Sequence, residues 1–96
     1  MVIRQGDLLF ERKEIPQDAQ EIQDGVLARG EATGHTHRVR PGTAVALLAA
    51  GMAYVRAMQE AYIDHEEHAT VTLPVGDWAV RRQREYRPEG WVQVAD

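Results

Sequence analysis

Cysteine is absent from this 96-residue chain, and large aromatic side chains are scarce. Without cysteine, disulfides and thiolate metal sites are excluded, and because the first residues do not resemble a signal peptide we expect a reducing, cytoplasmic setting. One Phe, three Tyr and two Trp provide little bulk for the core of what we predict to be one domain over residues 1–96. Small domains of this kind gain stability from a metal or from self-association, so a homo-oligomer is expected.

Long apolar runs and an excess of positive charge are also missing. The longest apolar run, Thr43 to Val55, is too short and too rich in Ala and Gly to cross a bilayer, so no membrane partner is expected. The net charge of −4 disfavours a nucleic-acid partner, because phosphate neutralisation requires a basic surface. Ten of the eleven basic residues are Arg, which either a coding bias or selection for bidentate anion binding explains.

Apolar and polar residues alternate in short segments that are separated by turns containing glycine or proline, and this pattern predicts an all-β chain. The expected strands cover residues 7–13, 26–40 with breaks at Gly30 and Gly34, 44–48, 53–58, 69–73, 78–86 and 91–95. Residues 69–86 read as a hairpin around Pro74–Asp77, and residues 16–25 read as a loop with one helical turn at most. About seven short strands with regular turns are typical of a small antiparallel β-barrel or sandwich.

The segment from Thr43 to Ile63 allows two interpretations. Its alanine content favours a helix, but its apolar positions do not follow the three-four spacing of an amphipathic helix. Gly51 interrupts the run, so we favour two strands. The alternative is an α+β fold with a helix in 44–61.

All four histidines occur in two pairs, His35 with His37 and His65 with His68. In a strand, His35 and His37 project to the same side, which suits binding of one divalent transition metal such as zinc, iron, manganese or nickel. His65 and His68 point the same way in a helical turn, but lie on opposite faces of a strand. Three histidines with an open position, or a closed shell of four, are the two geometries available.

Acidic and basic residues near these pairs are candidates for catalysis and substrate binding. One of Glu66 and Glu67 could bind the metal while the other orients a histidine or acts as a base, and Glu31 is a weaker candidate. Arg82 and Arg84 belong to an arginine-rich segment that would bind a small anionic ligand such as a phosphate ester. The competing interpretation is that these charges form a solvated face and that the histidines make local hydrogen bonds.

The strings TGHTHR, HEEHA and RQREY are similar to those of small uncharacterised bacterial and phage β-proteins, a likeness that covers most of residues 6–96 and implies no activity. The H-x-H in a glycine-punctuated strand, a later histidine and a closing P-x-G turn also resemble a shortened cupin. That resemblance implies a metal held by His35, His37 and His65 or His68. No glutamate follows the H-x-H at the short interval that cupins show, and Pro74 and Gly76 come after the histidines rather than before them.

The leading hypothesis is therefore a metal-dependent hydrolase that acts on an anionic substrate. One alternative is a non-catalytic oligomeric module whose histidines and arginines form subunit or partner contacts, and another is iron redox chemistry in a cupin-like pocket. The hydrolase hypothesis requires the two histidine pairs to meet, although 27 residues separate His37 from His65.

Overall fold

A computed structural model describes the backbone of residues 1–30, 33–87 and 90–93, and the side chains of residues 1–30 and 33–83. Strands are the regular secondary structure of these ranges, which contain no helix. The strands are β1 (Val2–Gln5), β2 (Leu8–Arg12), β3 (Gln20–Glu21), β4 (Val26–Arg29), β5 (Thr36–Val39), β6 (Val45–Ala49), β7 (Met52–Ala57), β8 (Ala61–Asp64), β9 (Val71–Leu73), β10 (Gly76–Arg82), β11 (Arg84–Arg87) and β12 (Gly90–Gln93).

Two antiparallel sheets face each other as a sandwich. Six strands form one sheet in the order β1-β2-β10-β7-β6-β3, and four form the other in the order β4-β5-β8-β9. The hairpin β11-β12 is a separate two-stranded sheet. The all-β prediction is confirmed, and of its two forms the structure is the sandwich, because the sheets are not closed into a barrel.

The core lies between the two sheets. Alternate residues of each strand face it, as strand geometry requires: Val55 of β7 is fully buried there, while Tyr54 faces the opposite side of the sheet. Trp78 and Phe10, both fully buried, are the largest side chains of this core. A smaller apolar cluster on the outer face of the six-stranded sheet is covered by Ile15.

The strands that were hardest to predict are confirmed at β6 and β7. They pair directly, with Ala49 opposite Met52, so that Ala50 and Gly51 form a two-residue turn. Both turn residues have positive φ, 49° and 78°, as a type I′ hairpin turn requires. The helical alternative for 44–61 is therefore wrong.

Several local predictions were wrong. The described part of the chain has twelve strands rather than about seven. Three of them, β1, β3 and β8, are short and their mixed composition hides the alternation, and the predicted segments 26–40 and 78–86 each divide into two strands. Glu21 lies in β3, not in a loop or helical turn. Residues 69–86 are not a hairpin: β9 pairs with β8 in the smaller sheet, and β10 pairs with β2 and β7 in the larger one. The turn around Pro74 therefore carries the chain from one sheet to the other.

The extended segment predicted over 26–40 divides into β4 and β5, which pair antiparallel. The predicted breaks at Gly30 and Gly34 are confirmed, because both glycines lie between the end of β4 at Arg29 and the start of β5 at Thr36. The pair also has a register shift between Val26 and Ala28, which was not predicted. Because β5 alternates, His37 and Val39 are buried while Arg38 is exposed.

One end of the sandwich gathers three connections from both sheets. The two-residue turn Gly6-Asp7 joins β1 to β2, with Gly6 at a positive φ of 57°. The start of β5 and the bend at residues 65–68, which follows β8, belong to the other sheet.

No helix among the described residues is long and apolar enough to cross a membrane.

Candidate functional site

All four histidines meet at this end of the sandwich. The ring centroid of His65 lies 5.6 Å from that of His35, 4.4 Å from that of His37 and 4.6 Å from that of His68. His37 and His68 lie 6.4 Å apart with nearly parallel rings. The chain thus brings together two pairs that are remote in sequence, and we call this group the histidine cluster.

Gln5 holds His37 in one tautomer. The Gln5 amide nitrogen donates to the carbonyl oxygens of Ile63 and Ala69, at 2.7 and 3.0 Å, so its oxygen faces the Nδ1 of His37 at 2.8 Å. An amide oxygen only accepts hydrogen bonds, so Nδ1 must carry a proton and donate it. In the neutral ring, the Nε2 of His37 then carries a lone pair rather than a proton.

Asp7 lies on the Nε2 side of His37. Its Oδ1 is 3.4 Å from this nitrogen, and both side chains are almost completely buried, at 3% and 0% exposure. The other oxygen, Oδ2, lies 3.3 Å from the Nε of Arg82, whose guanidinium also donates to the carbonyl oxygen of Arg29 at 2.9 Å. A carboxylate this deeply buried requires charged partners, and here it has a cation on one side and an imidazole on the other.

The bend after β8 explains why His65 and His68 point to the same place. The Nδ1 of His65 accepts hydrogen bonds from the backbone N–H groups of Glu67 and His68, at 3.0 and 3.1 Å. The strand interpretation, in which the two side chains lie on opposite faces, is wrong because the strand ends at Asp64. A neutral His65 consequently carries its proton on Nε2.

The Nε2 of His68 lies directly over Gly6. A Cβ added at Gly6 would be 2.6 Å from this atom, so the absence of a side chain there makes room for the imidazole. The same nitrogen is buried and has no hydrogen-bond partner in the described part of the chain. A buried polar atom without a partner calls for a specific explanation, such as an ion.

Glu66 and Glu67, the two predicted catalytic acids, lie at the rim of the cluster with different partners. The Nδ1 of His35 is 2.8 Å from Glu67, which is 57% exposed. Glu66 accepts hydrogen bonds from the backbone N–H and the hydroxyl of Thr36. These bonds, the backbone one above all, hold the pKa of the Glu66 carboxyl below its ordinary value. Glu66 is therefore a weaker base than an ordinary glutamate.

The predicted arginines have separate positions. Arg82 points to Asp7 rather than to solvent and is 18% exposed. Its predicted role in binding substrate stays a prediction, as does that of Arg84, whose side chain lies outside the described residues together with Glu31. Arg38, on the opposite face of β5 from His37, lines an open depression of about 570 Å³ with Thr36, Asp64, His65 and Glu66.

The rings are gathered, but the described residues contain no group of three or more His, Asp or Glu side chains already arranged to hold a metal ion. Sequence analysis missed Gln5 and Asp7, which lie 2.8 and 3.4 Å from the two ring nitrogens of His37. The signal available in the sequence was two polar residues flanking Gly6 just before the apolar start of β2. That pattern marks a turn, and nothing in it shows that the turn is buried.

Fold and site together define a β-sandwich protein with a histidine-centred polar site at one end. The chain belongs to the family of the domain of unknown function DUF8820, which matches residues 4–83 and so includes Gln5, Asp7 and the whole histidine cluster. The likeness to an uncharacterised family is thus confirmed. Neither a curated protein nor a solved structure matches the chain.

Proposed function

We propose that this protein binds one divalent transition-metal ion at the histidine cluster. The observation that supports the proposal is the convergence of all four histidines of the chain, with neighbouring ring centroids 4.4 to 5.6 Å apart. Imidazoles gathered this closely at one end of the fold can supply nitrogen ligands to a single ion. Histidines that are simply solvated on the surface are not expected to converge in this way at one end of a sandwich.

The available donors also fit a metal. His37 has its Nδ1–H committed to Gln5, the arrangement typical of metal-binding histidines, whose second nitrogen is oriented by a hydrogen bond. His68 presents a buried Nε2 that has no hydrogen-bond partner among the described side chains and backbone. The donor set of imidazole nitrogens and carboxylate oxygens suits zinc, iron, manganese or nickel.

Hydrolysis of an anionic substrate such as a phosphate ester is the reaction that we propose for this site. A bound divalent ion would supply Lewis acidity. Glu67, which pairs with His35, is the base that the geometry favours, because this pair is accessible from solvent whereas Glu66 is held by hydrogen bonds from Thr36. On the buried side of the cluster, a divalent ion together with Arg82 would carry more positive charge than Asp7 neutralises, which favours an anionic substrate there.

Metal content tests the first part of the proposal. Protein produced without a histidine tag should contain about one transition-metal ion per chain by plasma mass spectrometry. His37→Gln should abolish this content, whereas the control Asp77→Asn, a carboxylate that pairs with Arg56 outside the cluster, should retain it. A metal-free protein that also fails to take up zinc, iron, manganese or nickel on dialysis would refute the metal function.

Turnover of p-nitrophenyl phosphate tests the second part. Metal-loaded protein should release nitrophenolate, and Glu67→Gln should lower the rate by about 10²–10⁴-fold, the usual contribution of a positioned base. Metal content should remain unchanged in this variant. Bound metal without turnover would leave a metal-binding protein and refute the hydrolase assignment; oxygen-dependent chemistry in the iron-loaded form would favour the cupin-like redox alternative.

Self-association in the cytoplasm completes the proposal. Exposed apolar side chains support an oligomer: Val2 on the edge strand β1 is 56% exposed, and Met58 and Val75 are 67% and 58% exposed. Light scattering after size exclusion should give a mass above the 10.8 kDa of one chain. A monomer at all concentrations would refute self-association and the oligomeric-module alternative together.

A further inference from the structure

We infer that Asp7 is a ligand of the metal, and that the ion lies between Asp7 and His37 at the buried floor of the cluster, with His68 as the third protein ligand. This inference rests on the proposed metal function and deepens it. It replaces a shell of four histidines with two histidines and one carboxylate, and it removes His35 and His65 from the ligand set.

The distance between Asp7 and His37 is the first argument. The Oδ1 of Asp7 and the Nε2 of His37 are 3.4 Å apart. A charge-assisted hydrogen bond between such groups is shorter, about 2.7–2.9 Å. Two donors that share a tetrahedral ion at about 2.1 Å each are separated by ~3.4 Å, so these two atoms already have the spacing of ligands on one ion.

The hydrogen bonds around the two atoms are the second argument. Gln5 leaves the Nε2 of His37 as the nitrogen that faces Asp7, and its amide is fixed by carbonyl oxygens of both Ile63 and Ala69. Arg82 lies 3.3 Å from the Oδ2 of Asp7, and the Oδ1 of Asp7 is the oxygen on the side of His37. Outer contacts of this kind orient the ligands of metal sites.

His68 is the third donor for a structural reason. Its Nε2 lies against Gly6, the residue directly before Asp7, and has no hydrogen-bond partner in the described ranges. Its ring centroid lies 6.4 Å from that of His37, so the His68 side chain must move toward the ion to complete a set of three ligands, which the described residues do not already form. Two protein imidazoles and one carboxylate leave a fourth position open, as in catalytic rather than structural zinc sites.

The other two histidines are engaged differently. The Nδ1 of His65 accepts two backbone N–H groups, so its Nε2 carries a proton and has no lone pair for a metal. His35 pairs with Glu67 at the rim. We assign His65 to shaping the bend that aims His68, and His35 to positioning Glu67.

X-ray absorption on the wild-type protein loaded with zinc tests the inference without any substitution. Multiple scattering counts the imidazoles on the metal, and we expect two imidazoles with additional oxygen ligands. Three or four imidazoles would overturn the inference and leave the proposed metal function intact. Absence of bound zinc would overturn both.

Cobalt titration monitored by absorbance gives the second test. Asp7→Asn should weaken Co²⁺ binding by at least about tenfold, as should His68→Gln, while Asp77→Asn and His35→Gln should change it less than about threefold. An Asp7→Asn protein that binds as tightly as Asp77→Asn contradicts the assignment. If Asp7→Asn does not fold, ¹⁵N resonances of the wild-type histidines decide: zinc must shift the Nε2 signals of His37 and His68 and leave the Nε2 protons of His65 in place.

Discussion

His37 and His35, two residues apart in one motif, differ in almost every physical respect. His37 is fully buried between the sheets, and its two nitrogens face Gln5 and Asp7. His35 is partly exposed and pairs with Glu67, itself more than half exposed. The difference teaches that an H-x-H motif does not assign equal roles to its members, because one residue lies in the strand and the other precedes it.

The largest expected contrast is in stability. His37→Ala should lower the free energy of unfolding by about 2–4 kcal/mol, because it opens a cavity and leaves the Gln5 oxygen buried without its donor. His35→Ala should cost less than about 1 kcal/mol, since an exposed pair with a carboxylate contributes little. Urea denaturation of both variants measures the contrast, and equal losses would show that the buried and exposed positions are not distinct.

Gly6→Ala should perturb the buried side of the cluster specifically. The new Cβ would lie 2.6 Å from His68 at a residue with φ of 57°, so we expect a loss of about 1–3 kcal/mol and weaker cobalt binding. Gly42→Ala is the matched control, because its φ is also positive, at 86°, but nothing lies within 4 Å of the added Cβ. Similar cobalt affinities in the two variants would argue against His68 as a ligand.

The rim pair should show a smaller effect. A double-mutant cycle with His35→Gln and Glu67→Gln should give a coupling free energy of about 0.2–1 kcal/mol at low salt and less at high salt. Chemical denaturation at two ionic strengths measures it. A coupling as large as the loss on His37→Ala would mean that the rim is as important to folding as the buried side.

The smallest effect concerns a carboxylate outside the cluster. Arg40, with a contribution from Thr70, lowers the pKa of Asp64, so the ionised form stabilises the fold. This stabilisation is complete above the ordinary pKa of 3.8 and is lost as the pH falls through the lower value of the folded state. Asp64→Asn should therefore be less stable than wild type at pH 7, and the difference should be smaller at pH 3, below the ordinary pKa of 3.8.

Thermal unfolding at both pH values measures the effect of Asp64→Asn, with the exposed Asp18→Asn as control. A difference from wild type that is the same at both pH values would exclude ionisation as its source. The expected change is modest because Arg40 and Asp64 are both more than a third exposed, so solvent screens the pair.

The alternation of apolar and polar residues predicted a strand wherever the alternation was regular and a turn residue marked the end of the segment. β6 and β7 were predicted because Gly51 interrupts an apolar run that lacks helical spacing. β1 and β8 were not predicted, since their few residues carry too little alternation to stand out. The pairing of β9 with β8, rather than with β10, depends on distant strands that no local pattern reports.

Residue type alone identified the four histidines and the two glutamates as candidate site residues. It did not predict which of them are buried and which are exposed, because the bend at 65–68 and the start of β5 change the direction in which each side chain points. Gln5 and Asp7 were not predicted, because a polar turn is ordinarily exposed and nothing in the local sequence places this one beneath the histidines.

The amino-acid sequence alone determined an all-β chain with no thiol chemistry and with its imidazoles in two pairs, since composition and period two are local properties. Only the tertiary structure decided that the pairs meet, that Gln5 sets the tautomer of His37 and that Asp7 faces its second nitrogen. Burial and hydrogen-bond partners come from strands far apart in the chain, so they exist only once the two sheets pack together.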